Sequence, residues 1–225
     1  IVRAMDGVQL RIGYSMQTNV FTYNGTAGAL KDIAVRKAIS QGFDYETWIK
    51  IAYQGVDWDP ERPGSEILQP FQEGYENNLP EDVQKLDVEG AKKTLEDAGY
   101  TMGEEYYEKD GETLHITYTY FGDSATQTAM ANAYQQMMKN IGVECEIINL
   151  DNSEFSDTVV NGSYEVLPMG WSASDPFGYS SSGFQLYGSD SSSNYTYVGS
   201  DEVDELWAVP GTLEDATEAT AAANE

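Results

Sequence analysis

The residues best suited to ligand contact follow an apolar stretch in the second half of the chain, where Gly170 precedes Trp171. The stretch 164–170 has the pattern of a strand, and ligands of open α/β sheets bind beyond the carboxyl ends of the strands. Tryptophan offers a large flat surface with one hydrogen-bond donor, which suits a peptide backbone or a sugar face, although an interior tryptophan would also pack the adjoining loop. The candidate ligand-binding residues are Trp171, Ser172, Ser174, Asp175 and Phe177.

Side chains for covalent catalysis are scarce. His115 is the only histidine, and it falls within an alternating strand pattern. A nucleophile elbow needs the spacing Gly-x-Ser-x-Gly, which the sequence lacks, since Gly178 and Gly183 enclose too many residues. Cys145 is the only cysteine, so neither an internal disulfide nor a four-cysteine zinc site can form. We therefore expect no catalytic residue, no metal site and no cofactor.

The charge balance narrows the class of partner. The chain has 38 acidic and 12 basic residues and a formal net charge of -26. Such a field repels phosphate backbones and anionic membrane surfaces. No apolar run approaches the roughly 20 residues that span a bilayer. The composition therefore predicts a solvated, acidic surface and argues against nucleic-acid binding.

A strand and helix alternation leads up to the candidate site. Alternating apolar residues predict strands at 114–120 and 143–149, and an apolar stripe over 130–141 predicts the helix between them. A short helix over 153–160 then leads to the third strand at 164–170. Parallel strands need such crossovers, which are almost always right-handed. The sequence therefore predicts an α/β fold with a central parallel β-α-β-α-β sheet, flanked by helices and long loops.

The flanking segments are predicted from local patterns. Val8, Leu10 and Ile12 alternate with polar neighbours, so the first 30 residues are interpreted as a strand or linker that leads into the domain. Asp32 stands where a helix N-cap belongs, and Asp87 stands before a second such helix. Other expectations are a second short helix over 45–53, a packed loop with Trp58, Phe71 and Tyr75 over 57–80, a surface loop over 172–196 and a helix over 202–207.

Four motifs, in order along the chain, carry a resemblance to a known family. They are Asp32-Ile-Ala-Val-Arg-Lys-Ala-Ile-Ser40, Ala91-Lys-Lys-Thr-Leu-Glu-Asp-Ala-Gly-Tyr100, Gly170-Trp171 with Asp175-Pro176, and Asn194 followed by Glu202-Val-Asp204. Together they resemble the extracellular solute-binding proteins of peptide-type ABC importers (family 5), which include the oligopeptide- and dipeptide-binding proteins. The resemblance extends over about residues 15–215.

The resemblance implies a domain organisation. Members of this family have two lobes and are commonly more than twice this length, and the motifs belong to the second lobe. We therefore expect residues 1–225 to be a single domain that forms the second lobe, with a linking strand in 1–30, a truncated C-terminal helix in 210–225 and the first lobe absent. Because that first lobe would cover the site, we expect Trp171 to be substantially exposed.

The resemblance also implies a function. Such a protein is the substrate-binding component of an ABC importer and delivers a small solute, here an oligopeptide, to the permease membrane subunits. Its partners would be the peptide or other small ligand, the permease and its own N-terminal lobe, and it would be a monomer in the periplasm or a bacterial cell-surface lipoprotein whose signal sequence has been removed. The alternatives are an oligosaccharide or nickel-complex binder of the same family, or a hydrolase domain on an α/β scaffold.

One departure from the family pattern leaves the ligand open. Peptide-binding members often carry Gly-Trp-x-x-Asp, whose aspartate receives the α-ammonium group of the peptide. Here Ser174 occupies the fifth position and Asp175 follows it. Either Asp175 takes the ammonium role after a shift of one residue, or it belongs to the family's later Asp-Pro turn and the ammonium anchor is absent.

Overall fold

The computed structural model describes residues 5, 7–9, 13, 15–56, 61–65, 68–172 and 178–225. The strands are β1 (Gln17–Tyr23), β2 (Thr101–Met102), β3 (Tyr107–Lys109), β4 (Glu112–Thr113), β5 (His115–Phe121), β6 (Glu144–Leu150) and β7 (Val166–Ser172). The α-helices are α1 (Ile33–Gln41), α2 (Tyr45–Ala52), α3 (Val88–Asp97), α4 (Ala125–Asn140), α5 (Phe155–Val160), α6 (Gly178–Tyr187), α7 (Asp201–Ala208) and α8 (Ala216–Ala223).

The central sheet has the strand order β1-β7-β5-β6. β5 is parallel to β6 along its whole length, and it is also parallel to β7, with Tyr118 opposite Val166. The parallel β-α-β-α-β arrangement predicted from the alternation is therefore confirmed. β1 adds an antiparallel edge strand that pairs with all seven residues of β7.

The two faces of this sheet bury separate clusters, because neighbouring strand residues point to opposite faces. Val166 belongs to the larger cluster, which contains the buried side chains of α1, α3 and α4, while Leu167 packs with Val159 of α5 on the other face. Tyr118 and Tyr134 lie at the centre of the larger cluster, with ring centroids 4.8 Å apart. α4 and α5 thus cover opposite faces of the sheet.

The predicted helix caps are confirmed. The carboxylate of Asp32 accepts a hydrogen bond from the amide of Ala34 at 2.9 Å, which begins α1. Asp87 does the same for Gly90 at 2.8 Å and begins α3. These bonds satisfy amide groups that have no partner within the helix. α1 and α3 pack against each other, since the apolar faces of both belong to the larger cluster.

Two segments differ from the sequence-based expectation near the start of the chain. The strand of the first segment is β1, at Gln17–Tyr23, whereas Val8 lies outside any strand, and Leu10 and Ile12 lie outside the described residues. In the proline-rich loop, Phe71 is 47% exposed instead of packed. Tyr75 is held, because its hydroxyl accepts a hydrogen bond from the amide of Gly64 at 3.0 Å. Trp58 lies outside the described residues.

The serine-rich segment was expected to be a surface loop, and this prediction is wrong for part of it. Residues 178–187 form α6, because Leu186 is buried and Gly183 lies directly against the indole of Trp207. Serine has only moderate helix propensity, so these tertiary contacts decide the conformation. The helix expected at 202–207 is present as α7, and the C-terminal region forms a 3-10 turn followed by α8.

Two further features complete the fold. β2, β3 and β4 form a small antiparallel sheet that the sequence patterns did not predict. Among the helices that the described ranges contain, none is both long enough and apolar enough to cross a bilayer.

Candidate ligand-binding site

Trp171 lies at the carboxyl end of the parallel strands, as expected, since β7 ends at Ser172. Its indole stacks on the ring of Tyr195, with centroids 5.8 Å apart and 18° between the ring planes. Trp171 is therefore partly buried instead of substantially exposed, because Tyr195 covers part of it, while Ser172 is exposed. The other candidate residues, Ser174, Asp175 and Phe177, lie outside the described residues.

Tyr195 is held in place by a turn that the sequence motif at Asn194 builds. The buried amide of Asn194 donates hydrogen bonds to the carbonyl oxygens of Gly188 at 3.0 Å and Val198 at 2.9 Å. The hydroxyl of Tyr164 donates to the carbonyl oxygen of Tyr195 at 2.5 Å. These bonds fix the backbone on both sides of Tyr195, so its ring is available as a rigid partner for Trp171.

Gly170 allows a polar side chain to cross β7 beside this aromatic pair. A Cβ atom at position 170 would lie 2.5 Å from Nε2 of Gln17, so only glycine leaves room for that side chain. Gln17 donates to Oδ1 of Asn19 at 3.1 Å, and Asn19 donates to the hydroxyl of Tyr53 at 3.0 Å. The result is a row of uncharged hydrogen-bonding groups at the carboxyl edge of the sheet.

A crevice opens between the loops that follow β5 and β6. Because these loops lead to helices on opposite faces, they diverge, which is where open α/β sheets bind ligands. The crevice has a volume of about 300 Å³. It is lined by Tyr120, Phe121, Gly122, Asp123, Ser124, Gln127, Asn152, Phe155 and Pro168. Sequence reasoning missed these residues, although the predicted ends of the two strands would have pointed to them.

The crevice combines aromatic surface with the N-terminus of a long helix. Phe121 meets Phe155 edge to face, with ring centroids 5.1 Å apart. Gly122 has a φ of 83°, a conformation that favours glycine, and turns the chain toward Ser124, the N-cap of α4. The first turn of α4 carries no acidic residue. Its free amide groups and helix dipole favour a carboxylate or carbonyl group in the crevice.

The residues that could do covalent chemistry lie elsewhere. His115 is at the amino end of β5, opposite the candidate site, with its Nε2 3.6 Å from a carboxylate oxygen of Glu146. Cys145 is buried, and this burial, followed by the charge of Glu165, raises the pKa of its thiol to about 12. Within the described ranges, no group of three or more His, Cys, Asp or Glu side chains could hold a metal ion.

A two-faced α/β sheet with an aromatic pair and a crevice at its carboxyl edge defines a solute-binding domain. Residues 2–193 match the bacterial extracellular solute-binding proteins, family 5, middle part. The chain belongs to this family, and the resemblance carried by the four motifs is confirmed.

Relatives and solved structures agree with this assignment. The oligopeptide-binding protein OppA of Mycobacterium tuberculosis is 32% identical over 200 residues, which cover 88% of this chain and 33% of the relative. The chain thus spans about a third of the length of this curated relative.

Two solved structures share the fold. The oligopeptide-binding protein AppA of Bacillus subtilis, in complex with a nonapeptide, has a TM-score of 0.78 and 21% identity, covering 93% of this chain and 42% of that one. A mannohexaose-bound periplasmic oligopeptide-binding protein of Thermotoga maritima has a TM-score of 0.77 and 19% identity, covering 94% and 42%.

Proposed function

We propose that residues 1–225 form a single domain, the second lobe of a two-lobe substrate-binding protein that delivers an oligopeptide to an ABC permease. The observation that carries this proposal is the stacked pair of Trp171 and Tyr195 at the carboxyl edge of the sheet, beside the crevice. Membership of the solute-binding family supports it. The match to about a third of OppA supports the assignment to one part of a larger receptor.

The peptide lies across the carboxyl edge in this proposal. Trp171 packs against its backbone or an apolar side chain, and the exposed Ser172 offers a hydroxyl group. Ser174, Asp175 and Phe177 follow directly along the chain and complete the contact segment. Asp175 either receives the α-ammonium group or forms the Asp-Pro turn. The amide groups at the N-terminus of α4 face the crevice, which suits a carboxylate or carbonyl oxygen of the ligand.

The receptor acts by closing its two lobes around the ligand about a hinge, and the closed form is the one that the permease recognises. The protein catalyses no covalent step, is a monomer and works outside the cytoplasm, in the periplasm or anchored to the cell surface. The relatives are named as binding proteins, and the family description is extracellular, which supports this part of the proposal.

An oligosaccharide is the second candidate ligand. The side chains of Gln17 and Asn19 are uncharged donors and acceptors, and they lie at the same edge as the two stacked aromatic rings. Neutral amides and flat aromatic surfaces also suit sugar hydroxyl groups and ring faces. The two ligand classes differ in charge, since only a peptide brings an ammonium group and a carboxylate.

Thermal-shift measurements on the full receptor distinguish these ligands. Libraries of peptides, oligosaccharides and nickel chelates are added to the purified receptor, because a ligand at 100 times its Kd stabilises the folded state by about 2.7 kcal/mol. We expect stabilisation by peptides. Stabilisation by saccharides alone would replace the peptide with the second candidate. Hydrolysis of generic ester or glycoside substrates by the receptor would overturn the non-enzymatic function.

A further inference from the structure

The outer edge of β1 presents backbone groups that do not face β7. The amide of Asn24 donates to the carbonyl oxygen of Glu165 at 2.9 Å, and these two residues continue the register of β1 and β7 by one pair. In an antiparallel ladder, hydrogen-bonded and non-hydrogen-bonded pairs alternate. The alternation therefore directs the N–H and C=O groups of four residues away from β7, namely Gln17, Asn19, Phe21 and Tyr23.

The outer ladder begins at one point and then stops. The amide of Gly25, the next residue of the outward set, donates to the carbonyl oxygen of Thr196 at 2.9 Å. For the four outward residues of β1, the described part of the chain supplies no backbone partner on that side. Phe21 and Tyr23 are partly buried, where an unpaired backbone group is unfavourable.

These outward groups form the floor of a groove of about 490 Å³ that follows β1 along its whole length. One wall comes from α1 and α2 and includes Phe43 and Trp48, and the other comes from residues 186–198 and includes Leu186 and Tyr195. Side chains alternate between the two faces of a strand, so a strand in this groove would direct half of its side chains to each wall. Both walls are largely apolar, so the matching strand is apolar on both faces.

We propose that an extended apolar segment of the receptor polypeptide, from outside residues 1–225, pairs with the outer edge of β1 and extends the four-stranded central sheet. Transported peptides vary in sequence, whereas two apolar walls select one hydrophobic pattern. A second copy of the chain is disfavoured, because each copy carries a net charge of -26. The match covers 33% of the mycobacterial relative, so receptors of this kind have ample chain outside the matched part.

The added strand has a consequence for the site. It would fix β1 from its free side, and β1 in turn pairs with β7, in which Thr18 lies opposite Trp171. The inference rests on the proposed two-lobe organisation, and it does not depend on which solute the receptor binds.

Amide hydrogen exchange, resolved by residue, tests the proposal in the ligand-free receptor and in residues 1–225 alone. The inward amides of Thr18, Val20 and Thr22 are internal controls that remain protected in both proteins. We expect the four outward amides to exchange about 100-fold faster than these controls in residues 1–225, as amides without a structural partner do. In the ligand-free receptor we expect outward and inward amides to be equally protected.

Three results would overturn the proposal. Outward amides that exchange rapidly in the receptor would show that nothing pairs with them. Protection that appears only after a peptide mixture is added would identify the transported ligand as the occupant. Protection that appears in residues 1–225 as the protein concentration rises would identify a second copy. The thermal-shift experiment fails or succeeds separately, so loss of the proposed ligand would leave the exchange result in place.

A matched pair of variants adds a second readout in the receptor. Asn19→Pro removes one outward amide, and Thr18→Pro removes one inward amide, so the first interrupts the added strand and the second interrupts the ladder with β7. We expect Asn19→Pro to lower the protection of the Gln17 and Phe21 amides in the receptor and to leave the inward amides of residues 1–225 unchanged. Equal effects of the two variants in both proteins would contradict the proposal.

Discussion

At the scale of single residues, Trp171 owes its position to neighbours that need no ligand role of their own. Gly170 leaves room for the side chain of Gln17, and Tyr195 supports the indole by stacking. Asn194 holds the turn that carries Tyr195. A motif of Gly-Trp with a distant asparagine therefore describes one small assembly, in which only the tryptophan is proposed to contact the solute.

Replacement of this side chain tests its role. We expect Trp171→Ala in the full receptor to weaken solute binding about thirtyfold, because loss of an aromatic anchor typically costs about 2 kcal/mol. Trp171→Phe, which keeps an aromatic ring, should lose less. Calorimetric titration with the identified solute measures both variants. A dissociation constant unchanged by Trp171→Ala would remove the residue from the site.

Cys145 provides a second test at this scale. Because burial raises the pKa of its thiol to about 12, almost none of it is thiolate near neutral pH. We expect the native chain to resist iodoacetamide at about pH 8 and to react once urea unfolds it, since an exposed thiol has a pKa of about 8.5. Mass spectrometry follows the labelling. Rapid labelling of the native protein would contradict the buried position of the side chain.

At the scale of elements, the conserved-looking helix motifs of the sequence serve the scaffold. In α1, Asp32 caps the helix, and the guanidinium group of Arg36 donates to the carbonyl oxygen of Leu30, while Lys37 pairs with Asp82 at 2.5 Å. In α7, the carboxylate of Asp204 accepts a hydrogen bond from the amide of Ser189 at 2.8 Å. These side chains tie helices to the loops before them, at a distance from Trp171 along the chain.

The cap of α1 can be separated from its ion pair. Asp32→Ala should lower the free energy of unfolding by about 1 kcal/mol, the usual cost of losing an N-cap. Asp32→Asn keeps the capping oxygen and loses only the partly exposed ion pair with Lys109, so we expect a smaller loss. Urea unfolding compares the two variants. An equal loss in both would assign the effect to charge instead of capping.

At the scale of the whole molecule, the candidate site is one side of a cleft. The aromatic pair, the polar row and the crevice all lie at the carboxyl edge of the sheet, so a ligand there meets this domain from one direction. A two-lobe receptor gains affinity by enclosing the ligand and removing water from both of its sides.

This difference predicts the behaviour of the separate domain. We expect residues 1–225 to fold stably and to bind the solute weakly or not at all, whereas the full receptor binds it tightly. Calorimetry on both proteins with the same solute makes the comparison, and thermal unfolding of residues 1–225 is the control for folding. Equal affinity of the two proteins would show that the site lies wholly within these residues.

The sequence by itself determined the features that depend on neighbouring residues. Alternation over 114–120 and 143–149 predicted β5 and β6 within one residue, because side-chain direction in a strand follows position along the chain. Asp32 and Asp87 marked helix starts, because a cap bonds an amide only two or three residues away. The crossover rule then required parallel strands and located Trp171 at their carboxyl ends.

Only the tertiary structure decided the features that join distant segments. The antiparallel place of β1 depends on its pairing with β7 about 150 residues later, and the helical state of α6 depends on Trp207. The stacking of Tyr195 on Trp171 and the crevice between two diverging loops likewise arise from separate parts of the chain. Local patterns carry no record of such contacts, because their free energy is gained only when the whole chain packs together.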